Sequence, residues 1–160
     1  MAEDVHRRHF LKLSGGITAG VAAGASSAMA ERAAPAVKVT SLKDVKPLEP
    51  VTFSYPDGSL AVLVDLGRSV PNGVGPKKSI VAFSGLCQHM GCPVDFNAAR
   101  ERFVCPCHAS EFDPAREGNA VEGPSTRGLP RIALKISQDG TVSATGVASG
   151  LVYGRACNND

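Results

Sequence analysis

Past residue 30 the apolar positions come in short β-type runs separated by turn residues, and no long stretch carries a helical repeat. Val37-Lys38-Val39-Thr40 reads as a first strand. Val51-Thr52-Phe53-Ser54-Tyr55 and residues 60–66 flank Pro56-Asp57-Gly58-Ser59, which predicts a hairpin. A loop over residues 67–78 carries Pro71-Asn72-Gly73 and Gly75-Pro76, and Ser79-Ile80-Val81-Ala82-Phe83 resumes as a strand. Val94-Asp95-Phe96 and Arg102-Phe103-Val104 read as two short strands about a turn at 97–101. Residues 113–130 are expected to be loop, with turn points at Gly118-Asn119 and Gly123-Pro124. A last hairpin joins residues 131–136 to 141–144 through Gln138-Asp139-Gly140. The expected fold class is all-β.

Composition narrows the function rather than the fold. A length of 160 residues suits one domain with its own core. The net charge of +2 is too small to suggest nucleic acid or an anionic membrane as a partner. The absence of Trp and an aromatic content of 5% argue against a base-stacking platform as well.

Residues 1–30 read as an address, leaving 31–160 as the working domain. Arg7-Arg8-His9-Phe10-Leu11-Lys12 resembles the twin-arginine export motif, and a weakly apolar stretch rich in small residues follows it. Ala28-Met29-Ala30 offers the small residues that a signal peptidase reads. The stretch falls short of the roughly 20 strongly apolar residues a stable span prefers, so cleavage and a periplasmic location are expected. If the leader is retained, the chain is membrane-associated.

Chemistry concentrates in two boxes, Cys87-Gln88-His89-Met90-Gly91-Cys92 and Cys105-Pro106-Cys107-His108-Ala109-Ser110. They hold four of the five cysteines and both histidines beyond the leader. One Cys and one His from each box can close on a metal, and one further Cys per box remains. Two Cys and two His also suit a tetrahedral zinc site, so spacing alone leaves the metal open.

The paired boxes resemble those of the Rieske [2Fe–2S] family. The resemblance implies an antiparallel β-sandwich with a small inserted cluster-binding subdomain at about residues 85–113. It implies one [2Fe–2S] cluster, with Cys87 and Cys105 on one iron and His89 and His108 on the other. Imidazole in place of thiolate lowers the negative charge at that iron and raises the potential. Cys92 and Cys107 are implied to form a disulfide across the two boxes, an arrangement that an oxidising compartment permits. Cys157 is left as a tail thiol.

Gly123-Pro124-Ser125, with Leu129-Pro130 after it, resembles the proline-containing loop that covers the cluster in cytochrome bc-type members. In those members the second box continues Gly-Ser-x-Tyr, and the two hydroxyls donate to the cluster sulfurs. Here Ala109, Ser110, Glu111 and Phe112 stand in those places, so one donor remains and the potential is expected to be lower. The second box, the Gly-Pro loop and the segment 150–155 are similar to the small subunit of bacterial arsenite oxidase. That resemblance implies a large molybdopterin and [3Fe–4S] subunit that oxidises arsenite. It further implies a periplasmic cytochrome c or small copper protein as acceptor, and no substrate-converting site on this chain. The alternative is the Rieske subunit of a quinol-oxidising bc-type complex, against which Phe112 and the weak leader both count.

Overall fold

The computed structural model describes residues 35–154. Arg7, Arg8, the rest of the leader and Cys157 lie outside the described residues. The strands are β1 (Val37–Ser41), β2 (Val51–Ser54), β3 (Leu60–Asp65), β4 (Ile80–Ser84), β5 (Asp95–Asn97), β6 (Arg102–Val104), β7 (Glu111–Asp113), β8 (Asn119–Glu122), β9 (Arg131–Ile136) and β10 (Thr141–Ser149). Short 3-10 turns occupy Leu42–Asp44 and Pro114–Arg116. A six-stranded sheet runs in the order β1-β10-β9-β4-β3-β2, and a four-stranded sheet in the order β5-β6-β7-β8. Every neighbouring pair is antiparallel. Among the described residues no helix is long and apolar enough to cross a membrane.

Alternation along β3 and β4 divides the core in two, because successive side chains leave a strand on opposite faces. Ala61, Leu63, Ile80 and Ala82 join Tyr55, Ile132, Val142 and Ala144 on one face. Val39 from β1 and both Val51 and Phe53 from β2 pack against this same cluster, so the large sheet curls until its two edges share one interior. Val62, Val64, Val81 and Phe83 point the other way and meet Phe103, Phe112, Cys87 and Cys105 from the small sheet and its loops. Phe83 and Phe103 meet edge to face at 5.9 Å, and Phe103 meets Phe96 in the same manner at 5.3 Å.

The structure corrects the expectation of a loop over 113–130. β7 begins at Glu111 and β8 spans Asn119–Glu122, so the small sheet continues past the 85–113 limit drawn from sequence. The reason is electrostatic. Glu111 and Asp113 are buried, which hides the strand from any apolar pattern, and Arg100 and Arg102 neutralise them. Arg102 Nη1 lies 3.2 Å from Asp113 Oδ1, and Asp113 also accepts the Ala115 N–H at 2.9 Å. β10 likewise runs beyond 144, with bulges that let it follow the curl of the sheet.

Candidate metal centre

Each box folds into the same tight loop. The N–H of Cys87 donates to the carbonyl of Cys92 and that of Gly91 to the carbonyl of Cys87, both at 2.8 Å. In the second box the N–H of Cys105 donates to the carbonyl of Ser110 at 2.8 Å, and that of Ala109 to the carbonyl of Cys105 at 3.0 Å. Gly91 and Ala109 are therefore equivalent positions, and both take a positive φ, 75° and 56°. A residue other than glycine there costs about 1–2 kcal/mol, so Ala109 is held by its surroundings rather than by its own preference. The Cys87 and Cys105 thiols occupy equivalent places at the start of their loops.

The hairpin β5–β6 brings the loops together. Cys87 and Cys105 are both 1% exposed and neither is in a disulfide. Burial pushes the Cys87 thiol above its ordinary pKa; the N–H groups of His89 and Met90 aimed at the sulfur oppose that, while the neighbouring Cys105 adds to the rise. The His89 and His108 rings meet edge to face with centroids 4.9 Å apart. His89 Nδ1 is buried without a hydrogen-bond partner, while His108 lies on the exposed run 106–109. Cys92 and Cys107 are joined by a disulfide, with Cα atoms 6.5 Å apart. Their sulfurs and Cys105 Sγ all lie within 4.8 Å of one another, and of these three only Cys105 keeps a thiol.

The loop after β8 closes a third side. A Cβ built on Gly123, at φ +83, would lie 2.5 Å from Ser110 Cα and 2.6 Å from the Ala109 carbonyl oxygen. Only glycine lets this backbone approach the second box so closely. Pro124 follows on the surface, and the Ser125 N–H donates to the buried Ser110 Oγ at 3.1 Å. Phe112 is fully buried against the core that holds both thiols.

Two adjacent buried thiols, two facing imidazoles and an unsatisfied buried ring nitrogen form a donor set that suits a metal group and little else. A buried polar atom without a partner is costly unless a ligand completes it. The donors fit a mixed sulfur and nitrogen metal centre, carried on the two loops that flank the β5–β6 hairpin. The chain belongs to the Rieske [2Fe–2S] domain family, whose profile matches residues 36–133. It carries one [2Fe–2S] cluster, and the zinc alternative falls.

Similarity extends beyond the domain. The chain is 38% identical to an iodate reductase subunit, IdrB, of Denitromonas iodatirespirans, over 95% of this chain and 85% of that protein. It is 39% identical to the subunit of that name from Pseudomonas sp. (strain SCT), over 77% of this chain and 65% of the other. The likeness to the cytochrome bc1 complex Rieske iron-sulfur subunit of Corynebacterium glutamicum, 39% identical, covers only 41% of this chain and 16% of that protein. Among solved structures, the soluble domain of Rieske protein II (soxF) from Sulfolobus acidocaldarius superposes with a TM-score of 0.61 at 26% identity, over 73% of this chain and 82% of that one. The plasma membrane Rieske protein PetC3 of Synechocystis PCC 6803 gives 0.55 at 29% identity, over 68% and 97%.

Proposed function

We propose that this chain is the exported electron-transfer subunit of a molybdenum oxidoreductase that acts on an oxyanion. Cys87 and Cys105 bind one iron and His89 and His108 the other. The observation that carries the reading is similarity along 95% of the chain to an iodate reductase subunit, where the bc-type likeness covers less than half. When bound, the cluster takes up and releases one electron at a time. The protein does the rest. The N–H groups of His89 and Met90 oppose the burial that disfavours the Cys87 thiolate. Ser110, whose oxygen already accepts from Ser125, would have its own proton available for a cluster sulfur. The exposed run 106–109 puts His108 where a partner can reach it.

The partner is a large molybdopterin and [3Fe–4S] subunit, and a periplasmic cytochrome c or small copper protein exchanges electrons with the pair. The second box and the closing segment support arsenite oxidation. The likeness along 95% of the chain supports iodate reduction, in which electrons run the opposite way. The purified complex separates these readings by spectroscopy. Arsenite that reduces the cluster supports the first, and iodate that reoxidises a reduced cluster supports the second. A cluster that responds to neither, but is reduced by a quinol, contradicts the proposal. Replacing His108 with Ala tests the ligand set separately, since retention of a Rieske-type EPR signal would overturn it.

A further inference from the structure

The Rieske match ends at residue 133, yet the chain returns to the metal centre after it. β10 ends at Ser149, whose hydroxyl accepts the Arg131 N–H at 3.3 Å. Gly150 then lies against Pro130, with a built Cβ 3.4–3.5 Å from that ring and its Cα. Val152 anchors the strap at 1% exposure. Tyr153 lays its ring on Gly91, where a built Cβ would stand 2.4 Å from Cε1 and 2.5 Å from Cδ1. Gly91 sits between His89 and the disulfide cysteine Cys92, and its N–H closes the loop on Cys87. A ring seated there packs directly on the loop that carries Cys87 and His89.

We propose that Tyr153 is a positioning residue for the cluster. It acts through Gly91, holds the loop of Cys87 and His89 in place, and keeps water from that side. The second box has its own cover in the loop of Gly123 and Ser125, so the strap supplies the matching cover that the first box lacks. The ring does this work rather than the hydroxyl, since ring carbons make the close approach and the residue is 41% exposed. Water admitted at this side would stabilise the reduced, more negative cluster and raise the potential. The inference rests on Cys87 and His89 being ligands, and the His108 variant tests that ligand set independently.

Tyr55 and Tyr153 are the two tyrosines of the chain, which gives a direct test in the unaltered holoprotein. Tyr55 belongs to the core on the opposite face of the large sheet. With tyrosine rings isotopically labelled, reduction to the paramagnetic state is expected to shift and broaden the Tyr153 NMR signals and leave those of Tyr55 in place. Two rings that respond alike would overturn the proposal, and this measurement needs no variant to fold. Tyr153→Ala is expected to raise the midpoint potential and alter the EPR line shape, with Tyr153→Phe restoring both. A Tyr153→Ala protein with unchanged potential and line shape, or a Tyr153→Phe protein that behaves like it, would also overturn the proposal.

Discussion

The backbone N–H of Ser125 donates to the hydroxyl oxygen of Ser110 at 3.1 Å, across fifteen residues of chain, with both residues buried. This bond ties the third loop to the second box and fixes the Ser110 oxygen as an acceptor on one side. Its own proton is then free to be donated elsewhere, and a cluster sulfur would be its acceptor if the resemblance to bc-type members holds at this position. Ser110→Ala is expected to lower the cluster potential and to destabilise the fold by about 1–3 kcal/mol, because the Ser125 N–H loses its partner in a buried setting. Redox titration with denaturant unfolding checks both effects. An unchanged potential would mean the hydroxyl does not reach the cluster.

Phe112 pairs with Phe103 across β6 and β7, and both are fully buried. Resemblance to bc-type members places a hydroxyl donor at this position. Phe112→Tyr is expected to raise the potential by adding a hydrogen bond to the cluster environment. A redox titration showing no rise would place the ring away from the sulfurs.

The Cys92–Cys107 bridge closes a separation of 15 residues and is the covalent link between the boxes. Replacing both cysteines with Ala is expected to cost about 3 kcal/mol of stability from loop entropy. Faster loss of the cluster to a chelator is expected as well, since the loops then open independently. Equal cluster lifetimes with and without the bridge would argue that hydrogen bonds within each loop suffice.

In the β9–β10 turn, Asp139 accepts the Thr141 N–H at 3.0 Å and the Thr141 hydroxyl at 2.9 Å. These bonds, the backbone one foremost, hold its carboxyl below its ordinary pKa. A depressed folded-state value means that the stabilisation is complete above the unfolded-state pKa and disappears as pH falls through the folded one. Asp139→Ala is expected to melt below the parent at neutral pH, with the gap closing in acid. A gap independent of pH would assign the effect to turn geometry alone.

How far the sequence reaches is clear from particular residues. The hairpin of β2 and β3 is legible because apolar runs flank a Pro-Asp-Gly-Ser turn, and the observed pairing of Val51 with Leu63 follows that pattern. The donor residues are legible because Cys and His are rare elsewhere in the chain. β7 and β8 are not, since Glu111 and Asp113 are buried only by virtue of arginines about ten residues upstream. The equivalence of Gly91 and Ala109 is hidden too, because it resides in backbone hydrogen bonds while the Cys-to-His spacings of the boxes differ. The seat of Tyr153 on Gly91 joins residues 62 positions apart and has no local signal at all.

On the function proposed above, this cluster serves a molybdenum enzyme. Metal analysis of the chain purified gently from its own host, with whatever travels with it, tests that claim most directly. Molybdenum together with iron is the expected result. Iron with haem and no molybdenum would contradict it and assign the chain to a quinol-oxidising complex.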